Sequence, residues 1–245
     1  PSAVNPEWKM FSPTNQPETV TPQALTRDEI KAIVGDFRRA AENAMSAGFD
    51  GVEIHSSNGY LFHQFFSAQS NQRTDEYGGS HENRARFFCE VLDAIGQVMP
   101  LNRVGFRLNP MLNRFHGLSV DEDTVPMWEH VVRRANAYGL AFLHLTEPLH
   151  PKQVENTPGA LLDVGAHFRA IASMPIITNG GLDQARGEAR LDAKLCDAVA
   201  YGKAWIANPD LVERFRLGAA LNEADASTFY QGGEHGYIDY PTLAA

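Results

Sequence analysis

Segments with helical apolar spacing alternate with short apolar runs along most of the 245-residue chain. Residues 1–25 are rich in Pro, Ser, Thr and Asn, which predicts a surface loop. Thr26 and Glu29 then form a capping-box pattern ahead of an amphipathic helix that ends near Gly48. The same order recurs, with strands predicted at residues 51–55, 104–108, 141–145, 175–178 and 198–201 and helices at 83–98, 121–138, 162–172, 183–191 and after Pro209. This alternation is typical of parallel βα units in an α/β fold.

The number of predicted strands leaves two architectures open. Five parallel strands can form an open doubly wound sheet, but the chain lacks the G-x-G-x-x-G turn with which such sheets bind dinucleotides. A closed (β/α)8 barrel has eight strands, so the predicted strands would supply only part of one. An isolated partial barrel exposes two unpaired strand edges, and these favour association with another chain.

Composition and charge narrow the classes of partner. Hydrophobic residues make up 43% of the chain, enough for the core of one α/β barrel or two small domains. The net charge is −9 with no basic block, which argues against a nucleic-acid partner. No apolar run approaches the roughly 20 residues that span a bilayer, so we expect no membrane partner and a cytoplasmic location. Cys89 and Cys196 lack metal-ligand spacing, and we expect two buried thiols and no metal site.

The end of the first buried strand offers a carbonyl-binding site. His55 ends this strand, and a polar loop then presents Asn58 and Tyr60, where a parallel α/β barrel builds its active site. Taken alone, a His beside an apolar strand is usually a satisfied structural residue, and Tyr60 is typical of a half-buried aromatic. Together, however, His55 and Asn58 can donate to one carbonyl oxygen. The phenol of Tyr60 stays protonated at neutral pH and can act as a general acid.

The segment around this strand resembles the Old Yellow Enzyme family, the FMN-dependent ene-reductases. Residues 55–60 match the family motif H-x-x-[HN]-x-Y, and residues 74–86 match T-D-x-Y-G-G-S-x-E-N-R-x-R. The resemblance covers nearly the entire chain and implies a (β/α)8 TIM barrel, of which this chain supplies about strands 4–8. Residues 1–245 then form a single domain, with a surface loop (1–25), βα units (26–228) and a C-terminal tail beside the flavin (229–245). About three N-terminal βα units are missing, through truncation or because a second chain supplies them.

The resemblance also implies roles for individual residues. His55 and Asn58 bind the substrate carbonyl, and Tyr60 donates a proton to the α-carbon. Arg107, in the next predicted strand, contacts the N1–C2 edge of the flavin, and a structural ion pair is the competing interpretation. Tyr237 in the tail lines the substrate pocket.

Two glycine-containing strand ends, at residues 177–181 and 200–204, suit a phosphate group. Backbone amides of glycine turns, a helix N-terminus and one cation form an anion site, and barrels of this class bind phosphate after their last two strands. Lys203 stands where the family usually has Arg, so it binds as a point charge without a bidentate fork. The cofactor-binding residues predicted at these strand ends are Asn179, Gly180, Gly181, Gly202 and Lys203.

The implied reaction is FMN-dependent reduction of the C=C bond of an α,β-unsaturated carbonyl compound, or of a related nitro compound, with electrons from NAD(P)H. Two alternatives stay open. One is a flavin-free half barrel that serves as a scaffold or as one subunit of a composite assembly, and the other is a flavin-dependent isomerase. We also expect a loop at residues 111–119 to cover the pocket mouth. Structural roles are expected for the polar residues Arg73, Asp75, Tyr77, Glu82, Asn83, Arg84 and Arg86.

Overall fold

One parallel sheet organises the chain. The computed structural model describes residues 10–11, 19–20, 23–113, 118–148, 154, 156–230 and 233–243. Two short strands, β1 (Met10–Phe11) and β2 (Thr19–Val20), pair antiparallel outside the main sheet. The main sheet has five parallel strands in chain order: β3 (Val52–His55), β4 (Val104–Leu108), β5 (Phe142–Thr146), β6 (Ile176–Asn179) and β7 (Ala198–Val199). The predicted α/β pattern is therefore confirmed.

Helices connect these strands, as the βα pattern predicts. The α-helices are α1 (Arg27–Ser46), α2 (Leu61–Phe66), α3 (His81–Ile95), α4 (Thr124–Ala135), α5 (Val164–Arg169), α6 (Gln184–Asp192), α7 (Lys203–Ala207) and α8 (Leu211–Leu217). Single 3-10 turns lie at Leu101–Arg103, Asn136–Tyr138 and Ala226–Thr228. Within the described ranges, none of these helices combines the length and the apolar composition needed to cross a membrane.

The start of α1 follows from its capping box. Thr26 Oγ1 accepts a hydrogen bond from the backbone N–H of Glu29 at 3.2 Å. In return, Glu29 Oε2 accepts from the backbone N–H of Thr26 at 2.7 Å. The pair satisfies two amides that the first turn of a helix leaves without a helical partner. The predicted helix start is thus confirmed.

Several predicted boundaries are wrong. The segment predicted as a surface loop contains β1 and β2, and its residues 1–9, 12–18 and 21–22 lie outside the described residues. The helix predicted at 121–138 begins at Thr124, and its last turn is the 3-10 turn Asn136–Tyr138. The helix predicted at 162–172 covers only α5, and the strand predicted at 198–201 stops at Val199. Apolar spacing identifies such elements but does not encode where their hydrogen bonding ends.

Two helices, α2 and α7, are absent from the sequence-based prediction. In α2 the side chains of Phe62, Phe65 and Phe66 are at most 1% exposed, and His63 and Gln64 are buried as well. A six-residue helix that is buried on nearly all sides has no polar face from which to recognise a 3.6-residue period. Helix α7 has only five residues and is equally short for such a pattern.

Aromatic side chains between α2, α3 and the sheet form the centre of the core. The ring of Phe87 in α3 lies 4.9 Å from that of Phe62 and 4.7 Å from that of Phe65, measured between centroids. Phe88 reaches Phe106 of β4 at 5.3 Å. Burying each such side chain stabilises the fold by about 1.5–3 kcal/mol. This packing fixes α2 against the sheet and thereby the loop that joins β3 to α2.

The polar segment 73–86 has the structural role predicted for it. Arg73 binds both carboxylate oxygens of Asp75, at 2.9 and 2.6 Å. Arg84 is 3% exposed and donates to Asp123 at the start of α4, at 2.7 Å. The Tyr77 hydroxyl donates to the carboxylate of Glu90, which lies in α3, at 2.9 Å. These contacts tie the segment to its neighbouring helices.

Both cysteines have the environment that the sequence predicts. Cys89 lies in α3 and Cys196 precedes β7, and each is a buried free thiol. Burial raises the pKa of both thiols. The thiolate form needed for metal binding or nucleophilic attack is therefore disfavoured at neutral pH.

The main sheet is open within the described residues, with β3 and β7 at its edges. The outer side of an edge strand presents backbone N–H and C=O groups to solvent, where they can pair with another strand. Expressed alone, residues 1–245 should therefore form oligomers or aggregates through these two strands. Light scattering coupled to size-exclusion chromatography measures the outcome.

The matched control for this prediction is the same chain completed by the three N-terminal βα units that the sequence analysis expects, in cis or as a second polypeptide. Closing the barrel removes both edges, so the completed protein should elute as one species of defined mass. A stable monomer obtained from residues 1–245 alone would contradict the prediction.

Candidate active site

The loop between β3 and α2 brings the three predicted catalytic residues close together. His55 is the last residue of β3 and Tyr60 is the N-cap of α2, and their ring centroids lie 5.1 Å apart. Asn58 lies between them at φ 56°, in the left-handed region that Asn tolerates better than most residues. Tyr60 is 50% exposed. A hydrogen-bond donor and an acid thus lie side by side at the carboxyl end of a strand.

The surroundings of His55 favour a neutral imidazole. Partial burial, and then the charge of Arg107 on the neighbouring strand, lower the pKa of His55. Ser57 Oγ lies 3.4 Å from Nδ1 of the ring. A hydroxyl that donates to Nδ1 keeps the single proton of a neutral imidazole on Nε2. His55 can then offer an uncharged N–H donor at neutral pH.

Helix α2 holds the loop between β3 and α2 through Gly59, whose φ is 76°. The N–H of Gly59 donates to Nδ1 of His63 at 3.1 Å, and its C=O accepts from Nε2 of Gln64 at 2.7 Å. Burial, and then the charge of His55, lower the pKa of His63 to about 4. His63 is therefore neutral at pH 7, and its Nδ1 lone pair can accept from the loop. A helix that the sequence analysis missed thus positions the predicted catalytic residues.

A cavity of about 530 Å³ lies at the carboxyl ends of β4, β5 and β6 and in the loops after β6 and β7. Its volume is within the range of about 300–1,000 Å³ that is usual for small-molecule sites. Of the six predicted cofactor residues, Arg107 lies in β4 and Asn179 ends β6, and the other four follow β6 or β7. All six line this cavity: Arg107, Asn179, Gly180, Gly181, Gly202 and Lys203.

A chain of hydrogen bonds crosses the inner face of the sheet and ends at Arg107. Glu53 Oε2 lies 2.8 Å from Nδ1 of His144, whose Nε2 lies 2.5 Å from Nδ2 of Asn179. Asn179 Oδ1 in turn accepts from Nη2 of Arg107 at 3.5 Å, and Thr146 Oγ1 accepts from the same nitrogen at 3.3 Å. These hydrogen bonds orient the Asn179 amide and turn its oxygen towards the guanidinium of Arg107.

The sequence analysis missed Glu53 and His144. Both are polar residues inside predicted strands, and this was the available signal. Glu53 and His55 lie two residues apart in β3, and His144 and Thr146 lie two residues apart in β5. Residues two apart point to the same face of a strand, so all of these side chains share the face that bears Arg107. Only the pairing of the strands shows that they meet.

Glycine is required in the turn after β6. Gly180 has φ 119° and Gly181 has φ 63°, conformations that L side chains rarely adopt. A Cβ atom added to Gly180 would also lie 2.6 Å from the carbonyl oxygen of Glu147. The turn therefore brings its backbone against the end of β5.

Gly202 and Lys203 differ from that turn because their surroundings are open. A Cβ atom added to Gly202 would meet no protein atom within 4 Å. Lys203 is the first residue of α7 and is exposed, and within the described part of the chain no salt bridge engages it. The two residues thus leave room and positive charge at the cavity wall for an anionic group.

Two predicted features do not reach the described site. Tyr237 is 77% exposed and does not line the cavity, so its role in the substrate pocket stays a prediction. The loop expected at residues 111–119 includes residues 114–117, which lie outside the described residues. Its position over the pocket mouth therefore stays a prediction as well.

Comparison with known proteins places the chain in a family. The sequence profile of the NADH:flavin oxidoreductase / NADH oxidase family matches residues 3–222, and the chain belongs to this family. Among curated relatives, 12-oxophytodienoate reductase 1 of Oryza sativa subsp. japonica is 43% identical over 227 residues, which are 91% of this chain and 58% of that protein. For 12-oxophytodienoate reductase 2 of Arabidopsis thaliana the identity is 40% over 225 residues, again 91% of this chain and 59% of the relative.

A solved structure agrees with this placement. Morphinone reductase in complex with tetrahydroNAD is 45% identical and superposes with a TM-score of 0.85, over 96% of this chain and 63% of that protein. The chain thus spans about three fifths of the length of the relatives it matches. The resemblance to the Old Yellow Enzyme family and the partial TIM barrel are confirmed. At the level of the family, FMN and the nicotinamide donor are confirmed too.

The residues that line the cavity fit FMN. Arg107 Nε is buried and has no hydrogen-bond partner within the described residues, so it can donate to the acceptor edge of a flavin ring. The open surroundings of Gly202 and the charge of Lys203 suit a phosphate at the other part of the cavity. Both ends of such a cofactor would thus meet a positively charged side chain.

The depressed pKa of His63 predicts a pH-dependent stability. The unfolded chain protonates this residue near pH 6.5, whereas the folded chain does so only near pH 4. The contribution of neutral His63 to the free energy of unfolding is therefore fully present above pH 6.5. It is lost as the pH drops towards 4, and the loss is on the order of 3 kcal/mol. Urea unfolding of the completed barrel between pH 7 and 4 measures this loss.

The comparison variant for this prediction is His63→Asn, which retains an acceptor but cannot titrate. Its stability should fall less steeply over the same pH range. His235→Asn serves as the control because His235 is fully exposed and its pKa is raised by Asp239, so this variant should not flatten the profile. Equal slopes for the wild-type protein and His63→Asn would refute the assignment.

Proposed function

We propose that this chain forms the catalytic and phosphate-binding part of an FMN-dependent ene-reductase. Its substrate is an α,β-unsaturated carbonyl compound or a related nitro compound, and NAD(P)H is the electron donor. The observation that carries the proposal is the pairing of His55 with Arg107 across β3 and β4. This pairing joins the carbonyl-binding loop to the cavity lined by the predicted cofactor residues. A substrate held by the loop therefore lies next to the flavin.

The residues of the loop have separate roles in the proposed reaction. When bound, FMN supplies the hydride that it has taken from NAD(P)H. His55 and Asn58 donate to the carbonyl oxygen, and they bind it more strongly as negative charge develops there. Tyr60 gives the α-carbon its proton. The 5.1 Å separation between the His55 and Tyr60 rings supports this assignment, because the acid must lie close to the carbonyl site.

Arg107 has a different role, which is to change the reduction potential of the cofactor. A fixed positive charge at the N1–C2 edge of the flavin raises its reduction potential. The hydrogen bond from Arg107 to Asn179, with His144 and Glu53 behind it, holds the guanidinium in place. This arrangement favours the cofactor role of Arg107 over the purely structural ion pair.

Further flavin contacts are proposed to come from outside the described cavity. Because the chain spans about three fifths of its relatives, we propose that three further βα units complete the barrel, in cis or as a second chain. These units would pair with the edge strands β3 and β7 and so enclose the inner face of the sheet. They would also supply the rest of the flavin pocket.

The Tyr60→Phe variant of the completed barrel tests the proposed reaction. Reduction of the flavin by NAD(P)H should be almost unchanged, since that half-reaction needs no proton from Tyr60. Reoxidation by an enone should slow by roughly 10²–10⁴-fold, the usual effect of losing a general acid. Anaerobic stopped-flow absorbance at the flavin bands measures the two half-reactions separately.

Tyr138→Phe is the matched control, because Tyr138 precedes β5 and so lies at the end of the sheet opposite to the site, and both of its rates should equal those of the wild-type protein. If Tyr60→Phe slows both half-reactions equally, Tyr60 is not the proton donor. Net consumption of NAD(P)H with the enone distinguishes the reductase from an isomerase, which returns the hydride to its product. A completed barrel that binds no flavin would favour the scaffold alternative.

The phosphate site is tested by comparing two forms of the cofactor. Lys203→Ala should weaken FMN binding by about 1.5–3 kcal/mol through loss of a charge-assisted hydrogen bond. Binding of riboflavin, which lacks the phosphate, should change little. Titration of the apoprotein, followed by quenching of flavin fluorescence, gives both dissociation constants.

Two further variants complete this experiment. Lys203→Arg keeps the positive charge and should retain tight FMN binding. Lys31→Ala removes an exposed charge from α1, far along the chain from the cavity, and should affect neither ligand. Equal losses for FMN and riboflavin in Lys203→Ala would show that the phosphate binds elsewhere.

A further inference from the structure

Asn109 makes a side-chain contact with the predicted carbonyl-binding residue Asn58. Asn109 directly follows β4, the strand that pairs with β3, and both side chains are half-buried. Nδ2 of Asn109 donates to Oδ1 of Asn58 at 2.8 Å. The buried Pro110 disfavours a helical backbone at Asn109 and so helps to keep its side chain at the strand end.

This contact decides which way the Asn58 amide points. An asparagine amide has an acceptor oxygen on one side and a donor NH2 group on the other. When the oxygen of Asn58 is bound by Asn109, the NH2 group is the part that remains for a substrate. The reverse orientation would present an oxygen to the oxygen of a carbonyl substrate, and the two acceptors would repel each other.

We propose that Asn109 is a positioning residue that fixes the Asn58 amide with its N–H donors towards the substrate carbonyl. This inference rests on the proposed function, because it needs an acceptor group on the ligand. It assigns to this site a selectivity for acceptors over donors that Asn58 alone cannot enforce, since a free amide can turn over. The backbone of Asn109 has a separate structural role, as its C=O accepts from the N–H of Leu112 at 3.3 Å, and substitution of the side chain retains that bond.

The Asn109→Asp variant reverses the orientation. A carboxylate has nearly the same shape as the amide but only accepts hydrogen bonds, so Asn58 must turn its NH2 group towards residue 109. The oxygen of Asn58 then faces the ligand. Asn109→Leu, of similar size, neither donates nor accepts, and it leaves the amide able to adopt both orientations.

Two ligands with the same ring distinguish a change in the orientation of the Asn58 amide from a general loss of binding. 2-Cyclohexenone offers only an acceptor, whereas 2-cyclohexenol has a hydroxyl that can donate as well as accept. Dissociation constants of both are measured from the change in flavin absorbance of the FMN-loaded completed barrel. The quantity of interest is the ratio of the two constants, which a general loss of folding leaves largely unchanged, whereas a direct effect of the added charge on the ligands would persist in an Asn58→Ala background.

In Asn109→Asp the enone should bind about 10- to 100-fold more weakly, and the alcohol should change by less than about threefold. Asn109→Leu should shift the ratio in the same direction by a smaller factor. In an Asn58→Ala background, Asn109→Asp should leave the ratio unchanged, because no amide remains to be turned.

An unchanged ratio in Asn109→Asp would overturn the inference, and so would an equal shift of the ratio in the Asn58→Ala background. These results leave the proposed function standing if the wild-type protein binds and reduces the enone. If the wild-type completed barrel, loaded with FMN, neither binds nor reduces the enone, the proposed function fails and this inference fails with it. The wild-type measurement therefore distinguishes the two failures.

Discussion

The parallel register of the main sheet is the constraint on which the site depends. His55 pairs with Arg107 and Arg107 pairs with His144, so three polar side chains lie side by side near the carboxyl ends of the strands. A slip of one residue would turn these side chains into the core and bring apolar ones into the cavity. The register is secured from the other face, where Ile54 and Phe106 are buried in the core.

Polar groups on the inner face are tolerated because most of them are satisfied. Hydrogen bonds run from Glu53 through His144 and Asn179 to Arg107. Within the described residues, Arg107 Nε is still buried without a partner, and such a group costs about 1–3 kcal/mol. A flavin that accepts from this nitrogen would remove that cost. Binding of such a cofactor would therefore stabilise the fold, since a ligand that binds only the folded chain stabilises it.

Much of this fold and site could be predicted from local chemistry. The capping box of Thr26 starts a helix through contacts three residues apart, and the glycine turn at Gly180 needs a backbone conformation that other residues avoid. The predicted cofactor residues line one cavity because the carboxyl ends of parallel strands meet at one edge. The boundaries were less predictable. Helix α2 was missed because its nearly complete burial removes the polar face that a periodic pattern requires.

By itself, the sequence determined the alternation of helices and strands, the turns that require glycine and the chemical groups available at the strand ends. These properties depend on neighbours a few residues apart along the chain. Only the tertiary structure decided that Glu53 meets His144 and that Asn109 contacts Asn58. Such pairs bring together residues that are distant in sequence, so they depend on strand register and on the packing of the core behind the sheet, and no local pattern encodes them.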